Sequence, residues 1–125
     1  MILKEIIAIV RPNKMLSTKR ALEEMGFSSF TAFKVLGRGK QGGRLKELAY
    51  RVSPEVAEKL ETTSYAFIPK RLLSVVVPEA MVPRVVERII RVNQTGEHGD
   101  GKIFVLPVEE VLRVRTGETG LSALF

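Results

Sequence analysis

Gly99-Asp100-Gly101-Lys102 sets two residues that tolerate positive φ around one acidic side chain and ahead of a lysine. Successive backbone N–H groups in such a turn can face one anion while the Lys102 ammonium adds charge. Further on, Val111-Leu112-Arg113-Val114-Arg115-Thr116 alternates apolar and basic residues. In a strand, Leu112 and Val114 would face a core while Arg113 and Arg115 share the opposite face. Two guanidinium forks spaced roughly 7 Å apart suit a polyphosphate such as that of ATP. Phosphate is the expected anion.

Each piece also has a plain structural reading. A GDGK turn can be an ordinary hairpin connection, and paired arginines on a strand can form a solvated face. Their order and closeness within one segment favour the anion reading. The standard nucleotide loops are excluded: no GxxxxGK[ST] opens a helix, and no GxGxxG follows a strand with an acidic residue about twenty positions on.

The elements that must hold these residues alternate between strand and helix. Residues 3–11 are β-rich and stop at Pro12; Asn13 or Ser17 is expected to cap a helix whose Thr18, Ala21, Leu22 and Met25 share one face before Gly26. Residues 29–36 read as a second strand and 71–77 as a third, with a long segment between them. Val82, Val85, Val86, Ile89 and Ile90 then repeat at helical spacing, with Pro83 acceptable in the first turn. Residues 103–106 give a fourth strand and 112–115 an extra one. The order βαββαβ is that of the ferredoxin-like α+β fold, an antiparallel sheet with two helices on one face.

Composition fits one domain, residues 1–125, of ordinary globular character, with 45% hydrophobic and 27% charged residues. A formal charge of +6 favours an anionic partner without choosing among nucleotides, metabolites, RNA and acidic protein faces. No cysteine occurs, which removes disulfides, thiolate zinc sites and thiol nucleophiles. No apolar run approaches the roughly 20 residues of a membrane span, so no membrane insertion is expected and a cytoplasmic location is the default.

Four stretches carry a family resemblance: IIAIVRPNK, GFSSFTAFKVLGRGKQGG, IPKRLLSVVVP and, above all, QTGEHGDGKIFVLPVEEVLRVRTGE. Over nearly its whole length the chain resembles the PII signal-transduction proteins. The GRGKQGG wording, and an extended central loop without the RGAEY sequence in which typical bacterial members carry a modified tyrosine, resemble the nitrogenase-associated, NifI-type branch and its longer-loop member. The resemblance implies a homotrimer of ferredoxin-like subunits, ATP or ADP in the clefts between neighbours, a long target-binding loop (residues 39–69) between strands 2 and 3, and a regulator rather than an enzyme.

Carried over position by position, the resemblance assigns phosphate contacts to Lys40, Gln41, Gly99, Gly101, Lys102, Arg113 and Arg115, with Gly39 and Asp100 within the same two loops. It makes Gln41 a ligand of a Mg2+ that bridges ATP and 2-oxoglutarate, and Lys70 the partner of that keto acid's distal carboxylate. Backbone amides around Gly42 and Gly43 complete the pocket, and Thr31 contacts the adenine side. The chemistry is reasonable in itself, since Mg2+ is commonly held by phosphates with few protein groups and lysine makes charge-assisted contacts to carboxylates. Read without the resemblance, Lys70 is a surface lysine before a strand and the glycines are a flexible loop base. Three positions depart from the family pattern: Lys40 stands for the common arginine, Gly42 for the common lysine, and Ser74 where many members place a glutamate near the nucleoside.

Within the central segment, Ser53-Pro54-Glu55 followed by Val56, Ala57 and Leu60 suggests a short helix. Leu45, Leu48, Tyr50, Tyr65 and Phe67 are either its packing or anchors for a target. His98 is expected to be a solvated loop residue, and residues 121–125 to cover either the core edge or a trimer contact. The expected function is a sensor of ATP or ADP and 2-oxoglutarate that acts with a paralogous PII-like subunit to control nitrogenase by direct binding. The alternative within the family is a general regulator of an ammonium transporter or an assimilation enzyme. A basic ferredoxin-like RNA-binding module lacks the strand aromatics it would need, so no nucleic acid is expected, and an enzyme lacks a nucleophile, a base and a metal cluster.

Overall fold

The protein is described by a computed structural model covering residues 1–38 and 67–125. The expectations for Gly39, Lys40, Gln41, Gly42 and Gly43, for the short helix, and for Leu45, Leu48, Tyr50 and Tyr65 lie outside the described residues.

Strand β1 (Leu3–Val10) leads to helix α1 (Met15–Glu24), then β2 (Thr31–Gly37), β3 (Ile68–Pro78), α2 (Val82–Asn93) and β4 (Lys102–Val108). The four strands form one antiparallel sheet in the order β2-β3-β1-β4, the ferredoxin-like arrangement expected of βαββαβ.

Strand alternation decides the two faces. Ile6, Ala8 and Val10 of β1 and Leu73, Val75 and Val77 of β3 point to the helices and are buried. They meet Leu22 of α1, Phe27, and Val85 and Ile89 of α2 in a single core. Removing most of the Ile89 side chain, which is 1% exposed, leaves a void that the sheet cannot fill. Ile89→Ala is therefore expected to cost about 2–5 kcal/mol, read as a lower urea midpoint with an unchanged m-value. Deeper along the two helices, Asn93 Nδ2 donates to Thr18 Oγ1 at 3.0 Å and Thr18 Oγ1 donates to the Lys14 carbonyl at 2.8 Å, a buried polar link between α1 and α2.

Among the described residues no helix covers the other sheet face. Its central row runs Thr31, Ser74, Ile7, Phe104 across all four strands, and the neighbouring row places Phe33 beside Leu72 and Ile9. Phe33 is 53% exposed and Phe104 47%, so this face presents large apolar side chains to the outside of the single chain.

Several boundaries differ from those read in the sequence. Strand β3 begins at Ile68, before Pro69, because β1 has ended by that point and Pro69 has a strand neighbour on one side only. Strand β4 continues through Pro107 for the same reason, being an edge strand. Neither Asn13 nor Ser17 caps α1: a 3-10 turn at Pro12–Lys14 feeds directly into the helix, whose N-cap Lys14 makes no side-chain cap bond. The extra strand at 112–115 does not form. Leu112 makes one isolated bridge to Thr119, and the chain reverses through 114–116, closed by Gly117 N–H donating to the Arg113 carbonyl at 2.7 Å. Gly117 has φ +74, so the alternating run ends in a left-handed turn position that a continued strand would not allow. Leu112 and Val114 consequently lie exposed rather than facing the core. Among the described residues no helix is long and apolar enough to cross a membrane.

Candidate functional site

Helix α2 ends at Asn93, and residues 95–101 form the turn that delivers Lys102 to the start of β4. Gly96, Gly99 and Gly101 all have positive φ, at +86, +97 and +122. Only glycine adopts such values without strain, which explains their frequency in this short segment. Gly101 also has to be glycine for space: a Cβ there would sit 2.0 Å from the Ile9 carbonyl oxygen. The turn is thus pressed against the end of β1.

Asp100 organises the turn from within. Its Oδ2 accepts the Thr95 and Gly96 amide hydrogens at 2.7 and 2.9 Å, and its Oδ1 accepts from Thr95 Oγ1 and from Arg11, whose Nη1 lies 2.5 Å away. The same Arg11 donates through Nη2 to the His98 carbonyl at 3.0 Å. These bonds, the Thr95 hydroxyl first among them, hold the Asp100 carboxyl far below the usual carboxylate range. The ionised form is the one the folded state favours, so its contribution is complete above the unfolded-state value of about 4 and is lost as pH falls below it. Asp100→Asn is therefore expected to lower the urea midpoint at pH 7 and to differ progressively less from the parent between pH 4 and 2. Although read from the sequence as part of the ligand set, Asp100 turns its carboxylate into its own loop.

Lys70, near the start of β3, reaches the turn from the other side and donates from Nζ to the Gly99 carbonyl at 2.7 Å. The residue is buried, its stem lying 3.3 Å from where a Cβ on Gly37 would be. Burial lowers the Lys70 pKa, nearby Arg11 lowers it further, and Asp100 opposes both. A desolvated ammonium resting on a neutral carbonyl is a receptive site for a carboxylate or phosphate oxygen. Lys70, Gly99, Gly101 and Lys102 line one cavity of about 620 Å3, together with Gly37, Arg38 and Ile68. Its walls therefore include residues that flank segment 39–66 on both sides.

The remaining assigned residues lie elsewhere. Thr31 and Arg113 line a second cleft of about 740 Å3 with Phe27, Ser74, Val76 and Phe125. Arg113 donates to Glu118 Oε1 and to the Ser122 carbonyl, both at 2.9 Å, and to the Phe125 main-chain oxygen. The Phe125 ring lies 6.1 Å from that of Phe27, so the tail covers the core edge. Arg115 is exposed in the reversal that replaced the expected strand. Within one chain, then, the lysine-bearing turn and Arg113 occupy separate cavities. Thr31 and Lys102 stand on opposite edge strands, about 14 Å apart across the sheet.

Sequence reasoning missed Arg11, although its position immediately before Pro12 at a strand end was visible, because its two partners lie far along the chain. It also missed Glu5, which accepts a hydrogen bond from Ser74 Oγ at 2.5 Å on the open sheet face. His98 is exposed in the turn, as expected of a solvated loop residue. Among the described residues no cluster of His, Cys, Asp or Glu could hold a metal. Gln41, the one assigned Mg2+ ligand, lies outside them.

Comparison with known proteins agrees with this architecture. The family described as Nitrogen regulatory protein P-II matches residues 3–118. The chain is 51% identical over 122 residues to the nitrogen fixation nifHD1 region GlnB-like protein 2 of Methanosarcina barkeri, covering 98% of this chain and 99% of that one. It is 40% identical over 124 residues to nitrogen regulatory protein P-II 2 of Methanothermobacter thermautotrophicus, covering 98% and 97%. Among solved structures it is similar to Arabidopsis thaliana PII bound to citrate, with TM-score 0.73 and 34% identity over 98% of this chain and 89% of that one.

Proposed function

The chain belongs to the nitrogen regulatory protein P-II family, in its nitrogenase-associated branch, and from that premise we propose that it is a cytoplasmic sensor of ATP or ADP and 2-oxoglutarate that controls nitrogenase by direct binding. P-II proteins are trimeric signalling proteins rather than enzymes, and the proposal takes this one to be a homotrimer acting beside a paralogous P-II-like subunit. The observation that carries the reading is the cavity where buried Lys70, the glycine turn and Lys102 meet the two flanks of segment 39–66. A ligand held there touches the residues that launch and receive that segment.

The donor set fits the proposed ligands. Lys102 and the turn would hold phosphates, Arg113 and Arg115 would add guanidinium contacts, and Lys70 would take a carboxylate. Because the turn and Arg113 lie in separate cavities of one chain, a nucleotide using both would be completed by a neighbouring copy. The sheet face with exposed Phe33 and Phe104, which no described helix covers, supports such packing. The citrate on the similar Arabidopsis protein is a polycarboxylate, in keeping with a keto-diacid effector. Gln41 would ligate the Mg2+ that joins nucleotide and effector.

The relatives at 46–51% identity carry nitrogen-fixation names, whereas those at 38–40% carry general P-II names, which favours nitrogenase over an assimilation enzyme as target. For 2-oxoglutarate to relieve inhibition it must bind the free regulator better than the nitrogenase-bound one, and nitrogenase must weaken the effector by the same factor. The test is 2-oxoglutarate affinity with and without nitrogenase and the paralogue in excess. A drop in affinity of about tenfold or more is expected; equal affinities would contradict the mechanism.

A further inference from the structure

Arg11 has no place in the ligand set described above, yet with Lys70 it is one of two side chains that fasten the glycine turn beside the sheet. Its side chain is 12% exposed and bonds Asp100 Oδ1 and the His98 carbonyl together. Asp100 in turn holds the Thr95 and Gly96 amides. Gly101 lies against the Ile9 carbonyl and Lys70 bonds the Gly99 carbonyl, so every residue from His98 to Gly101 is bonded to Arg11 or Lys70 or packed on β1. Arg11 stands where β1 ends, its backbone extended at φ −65 and ψ 145 and its carbonyl accepting from Lys14 N–H at 3.0 Å. Its own placement is therefore set by the end of β1 and the 3-10 turn that follows it.

We infer that Arg11 is a positioning residue for nucleotide binding: it orients the glycine turn through Asp100 and His98 and makes no contact with the phosphates. The inference rests on the nucleotide reading of the turn. Two roles for an arginine near phosphates make opposite predictions for its partner. If Arg11 worked by attracting phosphate through its charge, removing the Asp100 carboxylate would unmask that charge and tighten binding. If it works by positioning, removing the carboxylate releases the turn and weakens binding.

The experiment is calorimetric titration with Mg-ATP of the full chain, Arg11→Gln, Asp100→Asn and the double variant, with melting temperature and light scattering recorded for each. A ligand-independent readout is amide hydrogen exchange at Thr95 and Gly96 in the absence of nucleotide. Positioning gives a loss of about tenfold in Mg-ATP affinity in each single variant, a double variant no worse than either single, and faster Thr95 and Gly96 exchange. Asp100→Asn that binds Mg-ATP as tightly as the parent or more tightly overturns the inference, as does exchange at Thr95 and Gly96 unchanged in Arg11→Gln. A parent chain that binds no Mg-ATP while exchange still quickens in Arg11→Gln would remove the nucleotide reading and, with it, any ligand for the turn to be positioned toward.

Discussion

Replacing Gly101 with alanine is expected to destabilise the protein by about 3–5 kcal/mol and to reduce Mg-ATP affinity by more than tenfold. Two costs combine. At φ +122 the backbone lies where side-chain-bearing residues are strained. The new Cβ would also be built 2.0 Å from the Ile9 carbonyl oxygen and 3.1 Å from its carbon, atoms of a paired strand that cannot swing aside as a side-chain tip could. Relief requires lifting the turn off β1, which displaces Lys102 from the cavity it shares with Lys70. Gly96 supplies the control. It has φ +86, but a methyl group added there would meet nothing within 4 Å, so Gly96→Ala bears the backbone cost alone, about 1 kcal/mol. Urea unfolding of the two variants separates steric from conformational loss.

Lys70→Met is expected to weaken 2-oxoglutarate binding in the presence of Mg-ATP by about thirtyfold or more, while weakening Mg-ATP itself only severalfold. Methionine keeps most of the buried stem that lies against Gly37 but has no ammonium. In the parent, Nζ has already been desolvated by folding and holds the Gly99 carbonyl at 2.7 Å, so a carboxylate arriving there gains a charged partner at little further cost of dehydration. Removing the ammonium strips the effector of that contact. The nucleotide loses only the staple on Gly99, since Arg11 and Asp100 still hold the turn. Calorimetry in both ligands gives the two ratios; equal losses for ATP and 2-oxoglutarate would show that Lys70 supports the turn rather than the effector.

The order of elements and the buried faces were legible because they are periodic. Ile6, Ala8 and Val10 alternate, Val85 and Ile89 recur at helical spacing, and each pattern is local to its own segment. GDGK could be recognised as a candidate site because its glycines announce an unusual backbone. What failed were inferences that depended on context several residues away. The alternation of Leu112, Arg113, Val114 and Arg115 mimics a strand, but Gly117 closes the chain back on Arg113 before a strand partner can be found. The strands read as 71–77 and 103–106 run on through Pro69 and Pro107, because whether a proline interrupts a sheet depends on which neighbours flank it. Arg11 is separated from Asp100 by 89 positions, and no local signal couples an arginine at a strand end to a carboxylate in a distant turn. Nor does the sequence say that Thr31 and Arg113 line one cleft while Lys70 and Lys102 line another, a division set by the sheet together with the fold-back of the segment that carries Arg113.

Isothermal titration of the full chain with 2-oxoglutarate, with Mg-ATP or Mg-ADP present, bears most directly on whether this molecule reads nitrogen status through its nucleotide. Saturable binding with Mg-ATP that is weak or absent with Mg-ADP, and lost in an Arg113→Ala, Arg115→Ala double variant, is the expected result. Nucleotide binding with no heat from 2-oxoglutarate under either condition would contradict it, leaving a P-II fold that does not sense the keto acid.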